Sequence, residues 1–93
     1  NPILVIQFYE TDTFNEPVRE WLRQLTAGDK KIIGEDLKTI QFGWPLGMPL
    51  VKHIEGDIWE SRSKLKDGIA RVLFVLDGGS MILIHGFKKN QQK

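Results

Sequence analysis

Apolar positions follow two different periods along this chain, and the change of period divides it. Ile3-Leu4-Val5-Ile6-Gln7-Phe8-Tyr9 is a β-branched and aromatic run that predicts a strand. Thr11-Asp12-Thr13 breaks it, and Val18, Trp21, Leu22 and Leu25 then recur at the spacing of one helix face. Asn15 is placed to cap that helix, Pro17 suits its first turn because proline's missing N–H is not needed there, and Gly28 is placed to end it. Asp29 then opens a second helix with Ile33, Leu37 and Ile40 on one face, stopped by Gly43 and Pro45. So short a connection predicts a packed αα-hairpin.

Residues 43–56 read as an irregular loop with room for a short strand around 51–54. Beyond it the period falls to two. Strands are predicted over 58–62, 68–76 and 81–89, separated by Lys66-Asp67-Gly68 and Asp77-Gly78-Gly79. Those turn signals supply the backbone freedom that tight hairpins require. The order β-α-α-β-β-β predicts a two-layer α+β domain, with an antiparallel sheet and the αα-hairpin on one face.

Strand parity sorts the side chains of this meander. Val72, Phe74 and Leu76 form an unbroken apolar set that should meet the helices together with Trp59. Ile58, Glu60 and Arg62 then share the other face with Ile69, Arg71, Leu73 and Val75. A cation on a sheet costs solvation unless it reaches water or an anion. Two arginines on one open face therefore suggest an anion site, while a surface salt bridge from Glu60 to either arginine accounts for them equally well. The third strand is apolar on both faces until Lys88 and Lys89, which point opposite ways, so at most one of them joins the arginines unless a bulge intervenes.

Length bounds the picture: 93 residues suffice for one modest core, and the expectation is a single domain over 1–93. The net charge of +1 conceals an asymmetry. Residues 1–59 hold six Lys/Arg against nine Asp/Glu, and residues 60–93 hold seven against three. A near-neutral domain with one basic region can bind a polyanion locally. With no cysteine there are no disulfides or thiolate metal sites. Two histidines without ligand spacing give no support for zinc, and no cofactor is expected. No apolar stretch approaches the roughly 20 residues that span a bilayer. No signal-peptide pattern opens the chain, so the expected location is cytoplasmic and no membrane partner is expected. Glycine-rich phosphate loops and nucleophile elbows are absent from the sequence. Histidine is the usual acid–base residue near neutrality, but His85, among apolar neighbours and opposite in parity to Lys88, reads as a packed structural residue. His53 reads as an exposed loop residue, and Trp44 and Phe87 as partly buried rather than base-stacking.

The order of elements, together with Trp59-Glu60-x-Arg62, Gly68-x-x-Arg71-Val72 and His85-Gly86-Phe87-Lys88-Lys89-x-x-Gln92-Lys93, resembles the HigB branch of the RelE/ParE toxin superfamily. These are the toxin halves of type II toxin–antitoxin pairs and include phage-derived relatives. The loop Met48-Pro49-Leu50-Val51-Lys52-His53-Ile54 also resembles the segment preceding the Glu-x-Arg strand there. The resemblance implies a RelE-like endoribonuclease that cuts messenger RNA on the ribosome without a metal, by attack of the RNA's own 2′-hydroxyl on the adjacent phosphate. It implies catalytic roles for Arg62, Arg71 and Lys88 or Lys89, with Lys52 and Lys93 as RNA-binding positions. The arginines would clamp the phosphate and stabilise its transition state. The implied partners are the ribosome, mRNA and a cognate antitoxin of helix-turn-helix type. Relatives usually continue into a C-terminal helix, whereas this sequence stops at Lys93, so the expected domain lacks that helix. The ParE branch, which acts on DNA gyrase, and an inert RNA- or protein-binding module are the alternatives on the same fold.

Overall fold

The computed structural model describes residues 1–90. Its elements are β1 (Val5–Phe8), α1 (Pro17–Arg23), α2 (Ala27–Gly43), β2 (Val51–Glu55), β3 (Ile58–Leu65), β4 (Gly68–Asp77) and β5 (Ser80–Asn90). The strands form one sheet in the order β1-β5-β4-β3-β2. The architecture is the α+β arrangement expected from the element order, with a fifth strand where the loop had room for one.

The sheet is mixed rather than wholly antiparallel. β2 to β5 form an antiparallel meander, while β1 adds to β5 in parallel, from Val5 opposite Ser80 to Phe8 opposite Leu83. Parallel neighbours need a long crossover, and here everything from α1 to β4 serves as one. Local sequence carries no signal for such a pairing.

The register bears out the parity of the central strands. Ser61 faces Val72, Trp59 faces Phe74 and Ser63 faces Ala70 on the helix side. Val72, Phe74, Met81 and Leu83 are all buried there against Val18, Ile33, Leu37 and Ile40 of the helices. Each such side chain contributes about 1.5–3 kcal/mol when fully buried. A one-residue slip would exchange Val72 and Phe74 for Arg71 and Leu73, so the core itself holds the arginines outward. Trp44 packs edge-on against Trp59, at 4.9 Å between ring centroids, and against Phe74 at 6.0 Å. It belongs to the core margin.

The helix boundaries differ from expectation. Glu16, not Asn15, precedes α1, and Asn15 instead donates its side-chain amide to Thr13 within the preceding loop. Gly28 does not end α1 but lies in the first turn of α2, where Thr26 is the cap and accepts from the Asp29 backbone N–H at 3.1 Å. A capping hydroxyl three residues before an acidic residue outweighs glycine's tendency to terminate. The helices pack on the sheet rather than chiefly on each other: α1 lies over β5 and β1, and α2 over β3. Gly86 lets α1 approach, because a Cβ there would stand 2.7 Å from Cζ3 of Trp21.

Candidate functional site

On the face away from the helices, strand register lines up three rows. Lys52, Glu60, Leu73 and His85 form the first. Arg62, Arg71 and Phe87 form the second, and Lys64, Ile69 and Lys89 the third.

A bulge in β5 makes this possible. Leu73 pairs with His85 while Phe74 pairs with Leu83, which leaves Ile84 as the extra residue. Odd positions before the bulge, Met81 and Leu83, therefore face the core. Odd positions after it, His85, Phe87 and Lys89, face the arginines. The ambiguity of the third strand resolves in favour of Lys89.

Lys88 points the other way. Its Nζ lies 2.9 Å from Asp67 Oδ1 and 3.5 Å from Asp29 Oδ2, tying the end of β5 to the β3–β4 turn and to α2. The Asp67 carboxylate raises the Lys88 pKa above the ordinary lysine value, and Lys88 in turn lowers that of Asp67. Of the two candidate lysines, the structure brings Lys89 onto the arginine face and not Lys88. Lys52 shares that face and is exposed. Lys93 lies outside the described residues.

Arg62 and Arg71 are directly opposed across β3 and β4, a like-charge pairing that a sheet disfavours by itself. Glu60 compensates. It is 5% exposed, and its Oε1 lies 3.5 Å from Arg71 Nη1 and 3.8 Å from Arg62 Nε. Charge-assisted hydrogen bonds close to about 2.7–2.9 Å, so Glu60 offsets charge without saturating the donors. Among the described residues, Glu60 Oε1 and the Nε atoms of both arginines are buried without a hydrogen-bond partner. Two guanidiniums against one carboxylate leave positive charge and free donors. Arg62 is anchored further by its backbone N–H, which donates to Leu50 O at 2.8 Å.

The histidines divide as well. His53 is exposed as expected, with its ring stacked 4.2 Å from Trp59 and Nε2 2.7 Å from Gly56 O. His85 is not packed inside but exposed on the arginine face, its ring 5.5 Å from Phe87. The bulge is the physical reason, since it turns His85 away from the core that its apolar neighbours enter. Phe87 is 36% exposed beside Arg71, so one flat apolar surface adjoins the cations. The sequence reads His85 as packed and Phe87 as partly buried, and the glycine between them is the signal that points the other way: strand glycines often accompany a bulge.

Beside the arginines a groove of about 780 Å³ runs along the end of β3, between the loop before β2 and the end of β5. Arg62, Arg71, Lys64 and Lys89 line it together with Leu50, Leu65 and Ile69. Among the described residues no cluster of His, Asp or Glu is arranged to hold a metal. No helix in them is long and apolar enough to cross a membrane.

Residues 20–93 match the family model described as "Phage derived protein Gp49-like (DUF891)". No curated protein and no solved structure matches the chain.

Proposed function

This chain belongs to the Gp49-like family of phage-derived proteins, a toxin–antitoxin-associated family of RelE/HigB type, and we propose that it is a HigB-like, ribosome-dependent mRNA endonuclease. The family implies an antitoxin partner, which in this reading is of helix-turn-helix type. The observation that carries the proposal is the opposed pair Arg62 and Arg71, held outward by the core with one carboxylate against their two guanidiniums.

In this reading the arginines grip the non-bridging oxygens of one phosphodiester. A guanidinium stays protonated throughout and offers a fork of donors matched to phosphate oxygens. Charge building on those oxygens as the phosphorus becomes five-coordinate strengthens the contacts in the transition state, which is where they accelerate the reaction. The nucleophile is the neighbouring ribose 2′-hydroxyl. Its proton passes to His85, the exposed imidazole that the bulge turns onto the arginine face. As the bond from phosphorus to the 5′-oxygen breaks, Lys89 supplies the proton or stabilises the charge on the leaving oxygen. The products are a cyclic phosphate and a free 5′-hydroxyl. Lys52, one row away, and Lys93 contribute attraction for the flanking backbone, and Phe87 presents a ring on which an unpaired base can stack. The work is done in the cytoplasm, where translating ribosomes are.

The test is cleavage of a defined mRNA on translating ribosomes by the purified chain. Wild type should cut it. Arg71→Ala should lose about 10²–10³-fold of the rate, the usual cost of removing one transition-state donor, with its thermal unfolding retained. Cleavage that survives both Arg62→Ala and Arg71→Ala would sink the site. Intact mRNA accompanied by gyrase-stabilised DNA breaks would replace the reading with a ParE-like one.

A further inference from the structure

The groove beside the arginines differs from a plain cationic surface in two respects. Its walls include the apolar side chains Leu50, Leu65 and Ile69, and one carboxylate, Asp36 of α2. Asp36 is half-buried, one position before the core residue Leu37, and makes no ion pair with the described residues. Four cations and one acid among apolar side chains are not what an acidic peptide requires, since Asp36 would repel it. They suit a nucleotide, which joins an anionic group, a flat apolar ring and a hydrogen-bonding edge. The volume of about 780 Å³ also falls within the range of small-ligand sites, about 300–1,000 Å³.

We propose that this groove is a base-reading subsite, in which Leu50, Leu65 and Ile69 hold the base of a nucleotide next to the phosphate gripped by Arg62 and Arg71, and Asp36 selects guanine. The inference rests on the proposed RNA substrate and goes beyond it by naming a base and the residue that reads it. A carboxylate offers two acceptors side by side. Guanine alone among the four bases places two donors, N1–H and the 2-amino group, next to each other on its Watson–Crick edge. Adenine and cytosine place a ring nitrogen acceptor beside their amino group, and uracil flanks its one N–H with two carbonyls, so each sets a lone pair against the carboxylate. Single-stranded RNA is commonly read on those edges. Asp36 is a specificity residue in this scheme and takes no part in bond breaking.

The experiment titrates the full chain with the 3′-monophosphates of guanosine, adenosine, cytidine and uridine, following backbone amide resonances by NMR. Guanosine 3′-monophosphate should bind about tenfold more tightly than the others, within the discrimination of a good bidentate contact, and should shift the amides of Leu65, Gly68 and Ile69. Asp36→Asn replaces one acceptor by a donor, an arrangement that each of the four bases can match with a neighbouring donor and acceptor, and should erase the guanine preference. Arg71→Ala should weaken all four nucleotides alike. Equal affinities for the four, or a guanine preference unchanged in Asp36→Asn, would overturn the proposal. Binding of an acidic peptide in the groove with no response to any nucleotide would overturn it too, in favour of a protein partner. Because binding is read without turnover, failure to cut mRNA on ribosomes with the guanine preference intact would count against the nuclease reading alone.

Discussion

Arg62 and Arg71 stand directly opposite one another on neighbouring strands, and the side chain that makes this tolerable, Glu60, lies two residues from Arg62 on the same face. A buried carboxylate between two arginines acts as an internal counter-ion that any incoming anion must rival.

Removing that charge therefore has two opposed consequences. Glu60→Gln leaves two facing guanidiniums uncompensated and should destabilise the fold by about 1–3 kcal/mol, below the cost of breaking a fully buried pair because the arginines keep some exposure. The same variant should bind inorganic phosphate more tightly, since the competitor is gone. Urea unfolding with and without phosphate checks both, and phosphate should restore more stability to Glu60→Gln than to wild type. Equal responses would show that Glu60 does not occupy the place of the anion.

Much of this was legible beforehand, and the reasons are local. On β3 and β4 each face has its own character, so Val72 and Phe74 declared the core and Arg62 and Arg71 the open side. On β5 both faces are apolar, and the bulge at Ile84 had to be seen before His85, Phe87 and Lys89 could be placed together. The parallel pairing of β1 with β5 joins segments far apart in sequence, which no window of residues reveals. Gly28 carried a stop signal that lost to the Thr26 cap of α2, and Asn15 carried a cap signal although Glu16 holds that position before α1. Asp36 gave no sign in the sequence of lining the same groove as the arginines, because it comes from the helical layer.

The two lysines at the end of β5 should separate experimentally. Lys89→Ala removes a cation from the arginine face and should lower mRNA cleavage by about 10²-fold or more if it protonates the leaving oxygen, with little change in melting temperature. Lys88→Ala breaks the contacts to Asp67 and Asp29 and should lower the melting temperature, while cleavage per folded molecule stays near wild type. Parallel cleavage and melting measurements decide it. The reverse pattern would mean that the register past the bulge is wrong.

Gly86 should resist substitution although its backbone is that of an ordinary strand. Gly86→Ala drives a methyl into the ring of Trp21, and overpacking of this kind costs about 1–3 kcal/mol. In a domain of this size about 1 kcal/mol corresponds to a loss of roughly 4–8 °C in melting temperature. Trimming the ring in Gly86→Ala/Trp21→Leu should recover part of the loss. Failure of the double variant to recover any would remove Trp21 as the cause.

The tie from Lys88 to Asp67 fixes a pH signature. Hydrogen bonding to Lys88 lowers the Asp67 pKa in the folded chain, so its contribution is full above the unfolded carboxyl value of about 3.9 and fades as pH falls through the lower folded value. The same bond raises Lys88, so that part is full below the unfolded lysine value of about 10.4 and fades as pH rises through the higher folded one. Asp67→Asn keeps the turn chemistry of the β3–β4 hairpin but removes the charge. Its melting temperature should fall below that of wild type between about pH 5 and 9 and converge with it as Asp67 protonates in wild type. Because the pair is exposed, the gap should also narrow in about 1 M salt, where screening acts within about 3 Å. A gap that persists unchanged in strong acid would assign the effect to the turn rather than to the ion pair.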